Sequence, residues 1–328
     1  MKPLNIFYQE PDRDRWFKYD RYPRRIIRRI IRGPEKIGGV KKWFLNLIQG
    51  LDVLGYPYKI NNFKSLRADP EEIALVIGKP QLIEKIPPHI KIIYGPALAS
   101  HPSDNSFWSE KNIIHILASC QWLADMYRRD LPQIPVSVWP SGIETDIWKP
   151  LPGKKISNCI LVYDKIRWEW DYYNEALLKP ILKTVDENGI QVKYLKYGSY
   201  QENDFAELLK TVDAMIFLCE HETQGFAYQQ ALSCNVPILA WNRKGYWQDP
   251  DYFPDKVKFA PVSSVPYWND DCGMQFEDID EFHIQFPQFI AQCKSNSFKP
   301  RKYILDNLTL EKCAAKYVEI VNELILQK

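Results

Sequence analysis

Short strand-like runs of apolar residues recur along the whole chain, and loops or helix-like segments separate them. In the first half they lie at residues 4–8, 73–77, 90–94, 113–118 and 136–139. In the second half they lie at residues 158–163, 214–218 and 236–241, and a further strand is predicted at residues 191–196. Short apolar runs bounded by turns are typical of buried strands, and their alternation with helices is typical of parallel sheets. The pattern therefore predicts an α/β protein.

Amphipathic periodicity predicts helices between these runs. One helix opens at the pair Gly38-Gly39 and closes at Gly55, and others lie at residues 204–211, 279–293 and 308–327. Residues 249–254 and 266–273 read as loops.

A segment rich in proline and glycine interrupts the pattern near the middle of the chain. Residues 140–153 contain Pro140, Pro150 and Pro152 as well as two glycines. Such stretches mark domain boundaries, and 328 residues suffice for two domains of about 150 residues each. We therefore predict an N-terminal domain over residues 1–148 and a C-terminal domain over residues 149–307. We expect the helical tail, about residues 308–328, to complete the N-terminal domain.

An acid and a glycine follow the strand predicted at residues 214–218. Glu222 and Gly225 lie in the turn between this strand and a short helix that we expect to end near Asn235. Ligands of open α/β domains bind at the carboxyl edge of the sheet, and backbone N–H groups at a helix start can donate to hydroxyls or phosphate. The sequence therefore predicts a ligand site around Glu222.

Other candidate residues also follow predicted strands. Lys165 and Arg167 come after the strand at 158–163, where two cations suit nucleotide phosphates and plain surface charge is the alternative. Tyr197 and Gly198 come after the strand at 191–196. His101 lies in the loop after the strand at 90–94, either as a substrate contact or as an ordinary surface histidine.

The pair Gly38-Gly39 would let a ligand approach the positive end of the helix that it opens. A plain tight turn would have the same sequence.

A basic segment between Arg24 and Arg32 alternates pairs of arginine with pairs of isoleucine. The isoleucines fall on one face of a helix and the arginines on the others. Three interpretations stay open: a solvated helix packed on its own domain, attraction to an anionic membrane surface or a phosphate-bearing substrate, and nucleic-acid binding. The net charge of +2 gives nucleic acid little support, so we expect no nucleic-acid partner.

Composition narrows the class of protein. The 7 cysteines are odd in number, scattered and without a C-x-x-C pair, so neither a disulfide framework nor a zinc site is indicated. The first residues lack the apolar core of a signal peptide, and no run approaches the length of a membrane span. We expect a cytoplasmic protein, placed peripherally at the inner membrane face if the basic segment binds anionic lipid.

Four segments in order resemble those of glycosyltransferases with the GT-B fold, most closely the retaining glycosyltransferase family 4 (glycosyl transferases group 1). Gly38-Gly39-Val40 resembles the N-terminal glycine loop, and Lys165 with Arg167 resembles the basic pair. Residues 138–150 resemble the interdomain segment P-N-G-V-D-x-x-x-F-x-P. Residues 222–237 resemble the signature E-x-F-G-x-x-x-x-E-A-x-A-x-G-x-P, which is the most specific of the four.

The resemblance implies two Rossmann-like domains with parallel sheets facing across a cleft. It further implies a metal-independent retaining transferase without a cofactor, which moves a sugar from a nucleoside-diphosphate sugar to a glycan, lipid-linked or small-molecule acceptor in polysaccharide or glycoconjugate biosynthesis. Glu222 would hold donor-sugar hydroxyls, helped by backbone N–H groups around Thr223, Gln224 and Gly225.

The remaining roles follow from the same resemblance. Lys165 and Arg167 would neutralise the diphosphate, and Gly38 and Gly39 would border the donor phosphates or the acceptor. Tyr197 and Gly198 would pack the nucleoside. His101 would match the histidine of the N-terminal domain by its position after a strand.

The chain departs from the signature at Gln230, where the family has a glutamate that accepts hydrogen bonds from the ribose hydroxyls. Glutamine offers a neutral acceptor and also a donor, and neutral hydrogen bonds are weaker than charge-assisted ones. We therefore predict weaker or altered nucleoside binding. Two alternatives to the transferase remain: a non-catalytic or altered nucleotide-sugar-binding protein, and a nucleotide-sugar epimerase on the same fold.

Overall fold

The computed structural model describes residues 2–9, 23, 38–96, 101–104, 107–153 and 157–326. The chain forms two compact units. Unit 1 comprises Met1–Ala118 and Tyr127–Ser137, and unit 2 comprises Ser119–Met126 and Val138–Lys328. Each unit is built on a sheet with parallel strand pairs, which confirms the predicted two-domain α/β fold.

The sheet of unit 1 has the strand order β2-β1-β3-β4-β5-β6. Its strands are β1 (Leu4–Phe7), β2 (Tyr58–Ile60), β3 (Ile73–Val76), β4 (Lys91–Tyr94), β5 (Ile113–Ala118) and β6 (Val136–Val138). Every residue of β1 and β3 is buried, as expected of central strands covered on both faces. The helices are α1 (Gly39–Leu54), α2 (Phe63–Ala68), α3 (Phe107–Glu110) and the C-terminal part of α4 (Gln121–Asp130), with short 3₁₀ turns at Pro80–Lys85 and Pro102–Asp104.

The sheet of unit 2 has the strand order β11-β10-β9-β7-β8, and all neighbouring pairs are parallel. Its strands are β7 (Cys159–Asp164), β8 (Gln191–Lys196), β9 (Ala214–Leu218), β10 (Ile238–Trp241) and β11 (Gly273–Phe276). The chain begins in the interior of this sheet at β7, adds β8 on one side and then continues from β9 on the other. The order therefore reverses between β7 and β9, which is where open α/β sheets bind ligands.

The helices of unit 2 cover both faces of its sheet. They are α5 (Trp170–Tyr173), α6 (Lys179–Glu187), α7 (Glu202–Leu209), α8 (Phe226–Ser233), α9 (Ile279–Lys294), α10 (Pro300–Asn307) and α11 (Leu310–Leu326). A π-helical turn at Asn174–Leu178 joins α5 to α6. Pro180 follows directly and lacks the N–H that a regular helix would need there.

Two apolar clusters explain why the interior strands of unit 2 are almost entirely apolar. On β7, Leu161 and Tyr163 belong to one cluster, whereas Ile160 and Val162 belong to the other. Successive side chains of a strand point to opposite faces, so a strand buried on both faces has no polar side.

Two strands were not predicted, β2 and β11, and both lie at sheet edges. The sequence of β2 is Tyr-Lys-Ile, and its residues are exposed or half-buried. The predicted loop at residues 266–273 ends where β11 begins, at Gly273 with a φ of 138°. Short edge strands with one covered side lack the apolar run that marks the interior strands.

The C-terminal helix α11 packs within unit 2. The indole N–H of Trp139 donates to the carbonyl oxygen of Cys313 at 2.7 Å, and its ring lies edge-on to Tyr317. The backbone N–H of Ile143 donates to the carbonyl oxygen of Leu308 at 2.7 Å. The predicted domain bounds, which assign this tail to the N-terminal domain, stay a prediction.

The basic segment between Arg24 and Arg32 lies outside the described residues, as do residues 97–100 before His101. Within the described ranges, no helix combines the length and the apolar character that a membrane crossing requires.

Candidate functional site

Charged residues converge at the carboxyl ends of β7 and β9, where the strand order of unit 2 reverses. Lys165 and Arg167 follow β7, and Glu220 and Glu222 follow β9. The backbone N–H of Lys165 donates to the carbonyl oxygen of Leu218 at 2.8 Å, which ties the two strand ends together. Unit 2 therefore brings Lys165, Arg167 and Glu222 into one cluster.

Lys165 and Glu222 form a direct ion pair between the ammonium nitrogen and Oε1. The side chains are only 13% and 10% exposed. Burial is the largest single influence and lowers the pKa of Lys165, but the charge and hydrogen bond of Glu222, with further contributions from Cys219 and Tyr197, together raise it above its ordinary value. The Lys165 ammonium also lies 4.4 Å from the centre of the Tyr197 ring. The pair is therefore charged, largely desolvated and lined on one side by an aromatic ring.

Arg167 is fixed by the residue that precedes Glu222. Its Nη2 donates to the carbonyl oxygen of His221 at 2.8 Å and lies 3.2 Å from the Nδ1 atom of the same residue. The guanidinium also stacks on the Trp168 ring at 4.3 Å. Because three contacts define its position, this guanidinium is a pre-oriented cation.

Glu220 holds the loop that carries these cations. Its side chain is fully buried, and its Oε1 accepts hydrogen bonds from the backbone N–H groups of Arg167 and Trp168 at 2.7 and 3.0 Å. Glu220 and His221 could not be predicted as site residues, because only the tertiary structure places them against Arg167. The one available signal was their location beside Glu222 at a strand end.

His221 contributes no positive charge to the cluster. Burial, and secondarily the charge of Arg167, lowers the pKa of His221 well below its ordinary value, so the imidazole is neutral at pH 7. Its ring contacts Trp122 and Trp168, with centroids at 5.5 and 5.1 Å. A neutral imidazole can accept a hydrogen bond from Arg167 where a charged one would repel it.

The backbone around Glu222 is held in place independently of its side chain. Its N–H donates to the carbonyl oxygen of Ser263 at 2.9 Å, and its carbonyl oxygen accepts from the Trp122 indole at 2.8 Å. The buried thiol of Cys219 lies 3.6 Å from Oε1 of Glu222. Burial raises the pKa of this thiol, so it remains protonated.

Gly225 is required by the turn that starts α8. Its φ of 77° is left-handed, and a Cβ atom there would lie 2.0 Å from the buried ring of Tyr228. Only glycine satisfies both conditions.

The neighbouring residues Thr223 and Gln224 differ in exposure. Thr223 is half-buried. Gln224 is buried, and its side chain bonds Ser141 through both amide groups, accepting from the backbone N–H at 2.9 Å and donating to the carbonyl oxygen at 3.2 Å. The Gln224 side chain therefore joins the site loop to the segment that carried the interdomain resemblance.

Gln230 lies on the second turn of α8 and is buried. Its amide nitrogen donates to Oε1 of Glu202, in the first turn of α7, at 2.8 Å. Tyr197 and Gly198, just before α7, present an exposed ring and an open glycine with a φ of 84°.

The other predicted site residues, Gly38, Gly39 and His101, belong to unit 1. Gly38 is the N-cap of α1 and Gly39 its first residue, and a Cβ atom on either would meet nothing within 4 Å. His101 is buried, with Nδ1 2.8 Å from the Ser103 hydroxyl and Nε2 2.8 Å from the Asp130 carboxylate. Both ring nitrogens thus have partners, and the catalytic role predicted for His101 stays a prediction.

No group of three or more His, Cys, Asp or Glu side chains suited to a metal ion occurs in the part of the chain that the structure describes. Independence from metals and cofactors stays a prediction.

Two units, each built on a largely parallel sheet, are the architecture of the GT-B fold, and solved structures of glycosyltransferases share it with this chain. Sucrose-phosphate synthase from Thermosynechococcus elongatus is similar over 100% of both chains, with a TM-score of 0.56 and 10% identity. The lipopolysaccharide outer core galactosyltransferase WaaB is similar over 98% of this chain and 100% of that one, with a TM-score of 0.52 and 12% identity.

Accessory secretory protein 1, 2 and 3 of Streptococcus pneumoniae gives a TM-score of 0.51 at 14% identity. The match covers 87% of this chain but 57% of that one, so the chain spans little more than half of that protein's length. No protein-family model and no curated protein sequence matches the chain. At these identities the likeness establishes the fold.

Proposed function

We propose that this protein is a retaining glycosyltransferase that moves a sugar from a nucleoside-diphosphate sugar to an acceptor. The observation that carries the proposal is the cluster of Lys165, Arg167 and Glu222 at the reversal point of the unit 2 sheet. The similarity of the fold to that of glycosyltransferases supports it.

The two cations suit the chemistry of the leaving group. Glycosyl transfer develops positive charge on the sugar while a nucleoside diphosphate departs, so its main demand is stabilisation of negative charge on the phosphate. Glu220 and His221 hold Arg167 in advance, and fixed charges need no reorganisation during the reaction. Replacing Lys165 by methionine should therefore slow transfer about 100-fold or more.

Glu222 would exchange partners when the donor binds. In the structure it pairs with Lys165. A diphosphate would take over Lys165, and sugar hydroxyls would donate to the released carboxylate. Each charge thus keeps a partner, which avoids leaving a buried charge uncompensated.

Calorimetry with a panel of nucleoside diphosphates tests the proposal first, followed by hydrolysis and transfer assays with the matching nucleotide sugars. We expect binding of at least one diphosphate, and product with the same anomeric configuration as the donor. Activity should survive a metal chelator. Absence of binding across the panel would refute the transferase, and full activity of a Glu222→Ala variant would refute the site.

We propose a glycan, lipid-linked or small-molecule acceptor, reached at an anionic membrane surface by the basic segment between Arg24 and Arg32. The arginine-isoleucine pattern of that segment supports this partner. Co-sedimentation with liposomes should depend on anionic lipid and weaken with salt. Absence of binding at low and high salt alike would exclude it.

A non-catalytic nucleotide-sugar-binding protein is the second candidate, and Gln230 is the observation that favours it. This protein would bind a nucleoside diphosphate without turning over any nucleotide sugar. The same pair of assays separates the two functions.

A further inference from the structure

The Gln230 amide has a carboxylate as its partner. Its amide nitrogen lies 2.8 Å from Oε1 of Glu202, although the two residues are 28 positions apart in the chain. Gln230 is buried on α8, whereas Glu202 is half-buried in the first turn of α7. The hydrogen bond fixes the carboxylate of one helix against the amide of the other.

Glu202 lies in the neighbourhood of the cation cluster. The Tyr200 hydroxyl bonds that of Tyr163, at the end of β7, at 2.5 Å. The Lys165 ammonium lies 4.4 Å from the centre of the Tyr197 ring, and α7 begins at Glu202, five residues further along the chain. The segment between Tyr197 and Glu202 thus leads from the cation cluster to the carboxylate.

A site with cations on one side and a carboxylate on the other suits a ligand that carries both anionic groups and hydrogen-bond donors. A carboxylate repels phosphate but accepts hydrogen bonds from hydroxyl groups, for which it offers about four acceptor sites. Neighbouring hydroxyls of a sugar are the donors that it accepts best, because hydrogen bonds to an ionised acceptor are about twice as strong as neutral ones. A nucleoside diphosphate carries phosphates at one end and a vicinal diol on its ribose.

We propose that Glu202, oriented by Gln230, binds the ribose 2′- and 3′-hydroxyls of the nucleoside diphosphate. This inference rests on the proposed function and is an alternative to the prediction that Gln230 weakens or alters nucleoside binding. The carboxylate is supplied by α7 instead of α8, and the glutamine is its positioning residue.

Calorimetry with uridine, guanosine, adenosine and cytidine diphosphates identifies the best-binding nucleotide, which is then compared with its 2′,3′-dideoxy form. The Glu202→Gln variant should bind the ribonucleotide about tenfold more weakly and the dideoxy nucleotide within about twofold of wild type. The matched control is Glu207→Gln on the same helix, whose carboxylate is exposed and pairs with Lys210. It should bind both nucleotides as wild type does.

The reciprocal exchange gives the sharper test. Gln230→Glu alone would set two carboxylates side by side, so it should weaken ribonucleotide binding and do so more at pH 8 than at pH 5.5. The double variant Glu202→Gln/Gln230→Glu restores one amide and one carboxylate. It should bind the ribonucleotide within about threefold of wild type, since like charges no longer oppose each other.

The outcomes distinguish a failure of the proposed function from a failure of the role proposed for Glu202. If wild type binds no nucleoside diphosphate, the proposed function fails and this inference with it. If wild type binds but Glu202→Gln weakens the ribonucleotide and the dideoxy nucleotide equally, Glu202 has only a structural role and the inference alone is overturned. Tighter binding by Gln230→Glu than by wild type would also overturn it.

Discussion

At the scale of single residues, the ion pair of Lys165 and Glu222 is both the centre of the site and a source of stability. Both side chains are nearly buried. Removing one partner leaves the other charge desolvated, which typically costs about 3–5 kcal/mol. We therefore expect Lys165→Met and Glu222→Gln each to lower the free energy of unfolding by about 3 kcal/mol. The double variant should lose less than either single one in urea unfolding.

The exposed pair of Lys244 and Glu277 is the control for this cycle. Its side chains are 57% and 49% exposed. The variants Lys244→Met and Glu277→Gln should each cost less than about 1 kcal/mol. Equal costs at the two pairs would contradict the burial argument.

His115 makes the stability of unit 1 depend on pH. Burial, with a further contribution from Arg128, lowers the pKa of His115 from 6.5 to about 4. Its Nε2 lies 2.9 Å from the Ser137 hydroxyl, while its Nδ1 is buried without a hydrogen-bond partner. The folded state thus resists protonation that the unfolded chain accepts. The contribution of His115 to the unfolding free energy is therefore present above pH 6.5 and is lost as the pH falls from there toward 4.

Between pH 7.5 and pH 5, this single group should cost wild type about 2 kcal/mol of unfolding free energy. Urea unfolding of His115→Gln should lack that part of the decline, because glutamine does not titrate. The exposed residue His89 provides the control, since His89→Gln should keep the wild-type pH profile. A decline of equal size in His115→Gln would contradict the assignment.

The sequence identified Lys165, Arg167 and Glu222, which the structure brings together, because each directly follows an apolar strand. It did not identify Glu220, His221 and Glu202. Their roles arise from hydrogen bonds to residues distant in the chain, such as that between Glu202 and Gln230. No local pattern encodes such a partnership.

At the scale of elements, the start of α8 depends on Gly225. An alanine there would adopt a left-handed conformation, at a cost of about 1–2 kcal/mol, and would also overlap the Tyr228 ring. Tyr228 is fully buried against Phe217, so it has no room to move away. We expect Gly225→Ala to lower the unfolding free energy by about 3 kcal/mol or more in urea unfolding.

Gly189 is the matched control for the start of α8. It has a φ of 66° but open space around its missing Cβ atom. Gly189→Ala should therefore cost only the conformational part, about 1 kcal/mol. If the two variants lose equal stability, the contact with Tyr228 is not what requires glycine.

The interior strands could be predicted from the sequence, but two of the four edge strands, β2 and β11, could not. In β3 and β9 every residue is buried, which leaves a continuous apolar run. The edge strand β8 mixes exposed and half-buried residues, although it was predicted. A three-residue edge strand such as β2 offers too few residues for either signal.

At the scale of the whole molecule, a bound nucleoside diphosphate should protect one part of unit 2. When the ligand is present at about 100 times its Kd, the free energy of the opening that permits hydrogen exchange should rise by up to about 2.7 kcal/mol, so exchange should slow. We expect this protection at residues 165–168 and 220–226, where the backbone carries the site. We expect the nucleotide to have no direct effect on hydrogen exchange in strands β3 and β4 of unit 1. Protection confined to unit 1 would contradict the site.

Two separate parallel sheets could be predicted because the apolar runs restart after the proline-rich segment. The boundary between the two units does not fall at a single position in the chain. Unit 2 includes Ser119–Met126, and the helix α4 runs from one unit into the other. The assignment of such a segment to one unit or the other depends on tertiary packing, which the local composition does not record.

The hydrogen bond between Gln230 and Glu202 has a consequence for how relatives of this protein would evolve. If the pair works as a unit, a change of one member is tolerated only with a compensating change of the other. Glutamate at one position should then accompany a neutral residue at its partner across homologous chains. A comparison that scores each position of the motif separately would count Gln230 as a loss and would classify such a chain as a pseudoenzyme. Scoring the two positions together distinguishes lost function from a carboxylate that has moved to the adjacent helix.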